Sequence, residues 1–309
     1  ASDVYKRQAL VSTGFDAEEA RKLAALARRS FPALKRRVSL IPEDRSLVWA
    51  DSSSASVLSG LFVAGRWREN AGDLESLEQL TRMKAAEVAE QLANLKDGAD
   101  PVLWNSGEVW SFTSVEEAFV ELLPRFTPHL QETWVSVATK VLAEPDPLEG
   151  LDQVQRVLSN NPGRRYSNDL RRGIAESLAI LASAEDGNPR LSVRVTAPDR
   201  VIAEIMRRVQ APNDKLSWVG ITDILPLLAE ASPEVFLIAL ENDLANDEPT
   251  VATLFEEVND PLGFGSRVHY PALLSALESI SWKQEYLARA IRVLSRLATF
   301  PVPANLANT

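Results

Sequence analysis

The second half of the chain repeats a single pattern that permits few folds. From residue 116 onward, apolar side chains recur every three or four positions in short runs, as Trp134, Val137 and Val141 illustrate. Proline, asparagine and glycine interrupt these runs, for example at residues 145–147. The pattern predicts about ten short helices with short connections, packed in pairs. Because no consensus recurs at a fixed period, we expect irregular helical packing or a degenerate, HEAT-like array.

The segment before residue 116 shows a different order of elements. A helical stretch ends at Gly65, and a short leucine-rich helix capped by Asp73 follows. After a tight turn, a second helix runs from about Lys84 to Lys96 with apolar residues on one face. Two strand-like segments joined by a glycine-containing turn complete the series, at residues 101–104 and 109–112. Helix, short turn, helix and β-hairpin in this order are the outline of a winged helix-turn-helix.

These patterns divide the chain into four parts. A basic helical segment precedes the winged-helix outline, with eight lysine or arginine residues and two acidic ones between positions 21 and 45. Asp16 is suited to cap its first helix, and arginines fall in the last turn, as the helix dipole favours. The expected domains are a terminal tail (1–15), a lid-like basic segment (16–51), the winged-helix module (52–115) and the α-helical array (116–309).

Composition excludes several classes of function. The chain has no cysteine and two histidines, which excludes thiolate catalysis and cysteine-ligated metals and leaves His129 and His269 as ordinary structural residues. No apolar run is long enough to predict a transmembrane helix. The net charge of −10 disfavours nucleic acid as a partner. The absence of cysteine suits a reducing compartment, so we expect a cytoplasmic location.

The sequence contains no recognisable catalytic motif. The phosphate-binding pattern Gly-x-x-x-x-Gly-Lys-Ser/Thr is absent, and the glycine-rich loop at residues 261–267 follows no strand, so we expect it to connect helices. Neighbouring acidic residues such as Glu116 and Glu117 point in different directions on a helix and do not share a site. Apolar and polar side chains alternate over residues 191–195, which predicts an isolated strand there. We therefore expect no enzymatic activity from this chain.

Four arginines surround a predicted helix start, where Ser167 or Asn168 is suited to be the cap. Guanidinium groups and helix N-termini both attract anions, so this cluster is a candidate site for an anion or an acidic neighbouring domain. The alternative is an ordinary charged start of a helix. The cluster consists of Arg164, Arg165, Arg171 and Arg172.

The helix of the winged-helix outline that would read DNA carries unsuitable charges. It has two lysines and two glutamates, and its solvent face would present Glu87 and Glu90 to phosphates. The predicted wing adds Glu108 and no basic residue. A helix that reads bases normally carries arginine or lysine in positive surroundings. We therefore expect this module to pack between protein domains, with DNA binding as the alternative.

A basic helical segment, a winged helix and a helical array, in this order, resemble the region downstream of the nucleotide-binding core in bacterial STAND-type signal-transduction ATPases. These proteins are related to AAA and NACHT P-loop ATPases. The local similarity lies in residues 31–37, 165–173 and 227–237. The Walker A and Walker B elements have no match, so the resemblance implies ATP and Mg²⁺ only for an upstream core, and no cofactor here. It also implies a sensor role toward the γ-phosphate for Arg36 or Arg37.

The first eight residues resemble a translated sequencing adapter at the edge of a metagenomic reading frame, so we expect a piece of a longer polypeptide. The resulting hypothesis is a non-catalytic relay and sensor fragment of a bacterial ATPase switch, with defence as one role for such a switch. Its expected partners are proteins: the upstream NTPase core, other protomers or a protein ligand. The alternatives are a winged-helix transcription regulator with a helical sensing or dimerisation domain, and a free-standing helical scaffold.

Overall fold

The computed structural model describes residues 2–39, 55–97, 100–149, 163–183, 196–256 and 266–301, with a few isolated positions between these ranges. Contacts divide the chain into two compact units: residues 1–69 with 74–127, and residues 70–73 with 128–309. The fold is mainly α-helical with a small antiparallel sheet, which confirms the predicted fold class at that level. The strand predicted at 191–195 and most of the glycine-rich loop lie outside the described residues.

The first unit contains the basic segment and the elements expected for a winged helix. Asp16 caps the second helix as predicted, because its carboxylate accepts a hydrogen bond from Glu19 N at 2.8 Å. The elements are α1 (Ser2–Ser12), α2 (Ala17–Arg29), α3 (Phe31–Val38), α4 (Ala55–Ala64), β1 (Arg66–Arg68), α5 (Ala71–Thr81), α6 (Ala85–Lys96), β2 (Leu103–Ser106), β3 (Val109–Phe112) and α7 (Val115–Leu122). The first residues of α5 are assigned to the second unit.

Three short strands of the first unit form an antiparallel sheet in the order β1-β3-β2. The sequence predicts the hairpin of β2 and β3, but it does not predict β1. This strand has three residues, which are too few for an alternating pattern to be visible. Its central residue, Trp67, is fully buried and pairs with Trp110 of β3. Tertiary packing therefore makes β1 a strand where local sequence carries little signal.

Helix α7 belongs to the first unit, although we expected the helical array to begin at residue 116. It packs on α4, where the ring centres of Phe62 and Phe119 lie 6.1 Å apart. Ser114 caps the helix, with its Oγ accepting from Glu117 N. The array of the second unit thus begins with the helix that starts at Pro128.

The second unit consists of short helices with small irregular elements between them. Its α-helices are α8 (Pro128–Leu142), α9 (Asn168–Ser183), α10 (Ala197–Val209), α11 (Leu225–Ala231), α12 (Pro233–Asp243), α13 (Tyr270–Ser281) and α14 (Gln284–Leu297). The α-helix expected over residues 250–258 is a 3₁₀-helix, Thr250–Phe255, followed by the two-residue strand Val258–Asn259. The buried Asp243 stabilises the first turn of this 3₁₀-helix, because its carboxylate accepts hydrogen bonds from Thr250 N and Val251 N.

The helices of the second unit lie in two rows of alternating members. In one row α8 packs on α10, α10 on α12 and α12 on α14; in the other α9 packs on α11 and α11 on α13. Fully buried Trp134, Trp218 and Phe236 fill the space between helices. In the part of the chain that the structure describes, no helix is long and apolar enough to cross a membrane.

The close approach of α4 and α5 predicts the effect of replacing Gly60 by alanine. Glycine to alanine in a helix normally gains about 1 kcal/mol. Here a Cβ would lie 2.6 Å from the Leu80 carbonyl oxygen, so we expect Gly60→Ala to lower the free energy of unfolding by roughly 1–3 kcal/mol. Urea denaturation measures this change. Ser56→Ala, at an exposed position of α4, is the matched control and should stay within about 0.5 kcal/mol. A stabilised Gly60→Ala protein would contradict the observed packing.

The ion pair of Arg208 and Asp214 predicts a stability effect that depends on pH. Hydrogen bonds from Arg208, at 2.8 and 2.9 Å, lower the pKa of Asp214 from its ordinary 3.8 to about 2. A lowered pKa means that Asp214 stabilises the folded chain above pH 3.8 and that this stabilisation is lost as the pH falls toward 2. Asp214→Asn should therefore cost about 1 kcal/mol at pH 6 and progressively less below pH 4. Denaturant midpoints across this range measure the difference, and a pH-independent gap would contradict the account.

Candidate interaction surface

The predicted arginine cluster surrounds the start of α9, but the protein's own carboxylates occupy that helix N-terminus. Ser167 is the cap, as predicted, because its Oγ accepts from Leu170 N at 3.0 Å. The fully buried Asp73 accepts from Ser167 N at 2.8 Å and from Ser167 Oγ at 2.6 Å. Glu144 accepts from the N–H groups of Arg165 and Tyr166, at 2.6 and 3.1 Å. An external anion would find these donors already bonded.

Asp73 has a different role from the helix cap that the sequence predicts. Helix α5 begins two residues earlier, and the Asn70 side chain accepts from Asp73 N at 2.9 Å, which makes Asn70 the cap. Next to Asp73, a Cβ on Gly72 would lie 2.3 Å from the Arg165 carbonyl oxygen. Glycine at this position therefore permits the close backbone approach that brings the Asp73 carboxylate to Ser167.

Arg171 is fully buried and bonds to three parts of the second unit. It donates to the carbonyl oxygens of Val141 and Leu142 at 2.8 and 3.0 Å, which are among the carbonyls that the end of α8 leaves unpaired. It also donates to Gly220 O and to the Asp223 carboxylate, each at 3.4 Å. Burial lowers the pKa of Arg171, whereas the Asp223 carboxylate opposes this shift. Arg171 is therefore an internal cap rather than an exposed anion-binding group.

The other three arginines of the cluster have separate surroundings. Arg164 donates to Gly220 O at 2.5 Å and so reaches the same carbonyl as Arg171. The exposed Arg165 side chain lies over the Tyr166 ring, 5.9 Å from its centre. Arg172 is exposed and pairs with Glu176 one turn further along α9, at 2.9 Å. The four side chains do not converge on a common anion position, and a partner-binding role for them stays a prediction.

Arg36 and Arg37, the predicted sensor residues, both bind carboxylates of the first unit. The Arg36 side chain is 8% exposed and lies between Asp100, at 2.5 Å, and Glu117, at 2.9 Å. Burial opposes the charged form, but these two carboxylates outweigh burial and raise the pKa of Arg36. Arg37 is about half exposed and pairs with Glu116 at 3.0 Å. Nucleotide sensing by either residue stays a prediction.

The solvent face of α6 carries the two glutamates that the sequence places there. Glu87 and Glu90 are exposed, and the Glu87 carboxylate accepts from Lys84 N at 3.0 Å. The ammonium group of Lys96 lies over the Trp110 ring, 5.8 Å from its centre. These charges do not form a basic face that could follow a phosphate backbone.

A feature that the sequence analysis did not single out is an exposed apolar face on α14. Leu287, Ile291 and Leu294 are 42%, 53% and 39% exposed and follow one another at helical spacing; we call these three residues the α14 stripe. Trp282, which is 83% exposed, lies just before the helix. The sequence does contain the signal, because α14 also buries Ala290, Val293 and Leu297 on another face and is thus apolar on two sides.

The charged residues of α14 show which side the stripe occupies. Arg289 binds Glu241 and Glu234 of α12, with distances of 2.8 and 3.0 Å. Ile291 lies two positions further along the helix, which places it on roughly the opposite side from Arg289. The stripe therefore points away from α12.

The described residues include no group of three or more histidine, aspartate or glutamate side chains that could hold a metal ion. Comparisons with protein-family models, with curated proteins and with solved structures found no match to this chain. The α14 stripe and Trp282 are large, exposed apolar side chains close together in sequence, and contiguous apolar surface of this kind commonly marks an interaction site.

The contrast between Arg171 and Arg172 predicts very different costs for two neighbouring substitutions. Arg171→Met leaves the α8 carbonyls and Asp223 without their donor, so we expect a loss of roughly 3 kcal/mol or more in the free energy of unfolding. Arg172→Met removes an exposed pair and should change it by at most about 0.5 kcal/mol. Urea denaturation of the two variants measures both values. Similar losses would show that Arg171 is not the internal cap described above.

Proposed function

We propose that this chain is a non-catalytic helical scaffold and that the α14 stripe binds an amphipathic helix of a protein partner. The observation that carries the proposal is the stripe itself, three exposed apolar side chains on one face of a helix. Burying each of them would contribute about 1 kcal/mol or more. Contiguous apolar surface of this kind marks interaction sites on soluble proteins.

The packing of the two rows supports a helix as the occupant. Both α10 and α12 have a neighbour on each side within their row, whereas α14 contacts α12 alone among the described helices of that row. Side chains at positions i, i+4 and i+7 form the ridge on which another helix normally packs. A partner helix on the stripe would thus continue the packing that the array already uses.

The charged residues of α14 indicate which charge the partner helix should carry. Arg292 lies three positions from Arg289 and on the same side of the helix, where its charge acts on Glu241. Helix α14 as a whole carries three arginines and one glutamate, so a partner helix with acidic residues would be favoured by charge. Because the chain as a whole carries a net charge of −10, this locally basic helix differs from most of its surface. We therefore propose an acidic amphipathic helix as the ligand.

Within the same proposal, the module predicted at residues 52–115 is a winged helix that packs against protein. The order helix, strand, helix, helix, strand, strand and the sheet order β1-β3-β2 support this assignment. The acidic face of α6 favours a protein partner over DNA. A relay role in a STAND-type ATPase would follow if the partner were an NTPase core, and the resemblance in order of elements supports that extension.

Substitution in the stripe tests the proposal directly. The probe is a labelled designed helix with leucines at i, i+4 and i+7 and glutamates beside them. Ile291→Lys should weaken its binding to the full chain at least tenfold in fluorescence anisotropy, because a charge would enter the apolar contact. Ile238→Lys is the matched control, since Ile238 is 44% exposed and lies between the two α12 glutamates that bind Arg289. It should leave the affinity unchanged.

Any of four results would contradict the proposal. Equal weakening by both substitutions would show that the effect is not specific to the stripe, since an added lysine should by its charge strengthen the binding of an acidic helix. A change from dimer to monomer in Ile291→Lys, measured by analytical ultracentrifugation, would assign the stripe to a second copy of this chain. Release of phosphate from ATP by the purified chain, or tight binding to duplex DNA with a steep salt dependence, would favour an enzyme or a DNA-binding regulator.

A further inference from the structure

We propose that the first unit binds a small oxyanion, a phosphate or carboxylate group, in the cavity at the N-terminus of α7. This cavity has a volume of about 310 Å³, within the size range of small-molecule sites. It is bordered by α2, by Arg37 of α3 and by the start of α7. The site is distinct from the α14 stripe and does not depend on the proposed partner helix.

Arg29 supplies a cation that lacks a carboxylate partner. Its guanidinium lies over the Trp104 ring, 4.6 Å from the ring centre, and no acidic side chain among the described residues bonds to it. Partial burial lowers the pKa of Arg29, and the positive charges of Arg66 and Arg28 act in the same direction. A bound oxyanion would relieve this repulsion and accept hydrogen bonds from the guanidinium group.

Thr113 supplies the second and independent sign of a ligand. It lines the cavity, its side chain is 3% exposed, and its Oγ1 has no hydrogen-bond partner within the described part of the chain. The indole Nε1 of Trp104 is likewise buried without a partner there. Buried polar groups are almost always bonded, because an unpaired one costs free energy. Of these two groups, the Thr113 hydroxyl belongs to the cavity lining, and it indicates a donor that is kept for a ligand.

The start of α7 adds peptide N–H groups to the same cavity. Ser114, Val115 and Glu116 all line it. Ser114 Oγ accepts from Glu117 N at 3.4 Å, while the N–H groups of Val115 and Glu116 belong to the first turn, which has no partners within the helix. The positive end of the helix dipole thus faces the position where the oxyanion would bind.

The other charged side chains that line the cavity favour a ligand with a single small anionic group. Glu116 is paired with Arg37 at 3.0 Å, and Lys22 with Glu18 at 2.9 Å. Glu19 also lines the cavity and carries a negative charge. The lining therefore holds three cationic and two carboxylate side chains, which favours one compact anionic group over an extended polyanion.

Isothermal titration of the full chain with inorganic phosphate, and separately with succinate, tests the site and distinguishes the two sources of the oxyanion. We expect one of the two to bind, and Arg29→Gln to weaken that binding at least tenfold. Arg21→Gln is the matched control, because Arg21 is an exposed arginine of α2 that does not line the cavity. It should leave the affinity within twofold.

Thr113→Val separates a binding role from a structural one. Without ligand, replacing an unpaired buried hydroxyl by a methyl group should leave the melting temperature unchanged or raise it. The same variant should bind the anion several-fold more weakly and should show a smaller rise in melting temperature on its addition. Failure of both anions to bind at millimolar concentration, equal losses in Arg29→Gln and Arg21→Gln, or full affinity in Thr113→Val would each overturn the proposal.

Discussion

The helical array depends on one buried guanidinium. Arg171 of α9 donates to the last carbonyls of α8, to the Gly220 carbonyl and to Asp223, so a single side chain joins two helices and the turn before α11. A buried charge is tolerated only when hydrogen bonds surround it, and each of these partners must be in place for the others to remain favourable. These hydrogen bonds fix the packing of α9 against the end of α8, and one row of helices continues from each of these two helices.

Sequence reasoning succeeded where a rule acts within one turn of helix. The apolar spacing predicted most helices, and Asp16 and Ser167 are caps as expected, because a cap needs only backbone groups two or three residues away. It failed where the partner comes from a distant part of the chain. Strand β1 forms because Trp67 pairs with Trp110 of β3. The Asp73 carboxylate accepts a hydrogen bond from Ser167 N and does not cap its own helix. No local pattern shows either contact.

The arginine cluster illustrates the same limit within one element. Arg171 and Arg172 are neighbours in sequence, and neither propensity nor charge distinguishes them. Adjacent residues on a helix point about 100° apart, so one is buried against α8 while the other is exposed beside Glu176. The sequence predicted a shared anion site from their proximity, whereas the structure separates their environments. The α14 stripe was overlooked for the opposite reason, since a helix that is apolar on two faces still satisfies the helical pattern.

An array held together at Arg171 and exposed at α14 is a claim that hydrogen exchange followed by mass spectrometry can test. We expect the slowest amide exchange in Trp134–Leu142 and Leu170–Leu181, which the hydrogen bonds of the buried Arg171 hold together. We expect faster exchange in Gln284–Leu297, because Leu287, Ile291 and Leu294 leave one face of α14 exposed. Equal protection of α14 and of the α8 and α9 segments in the isolated chain would contradict the claim.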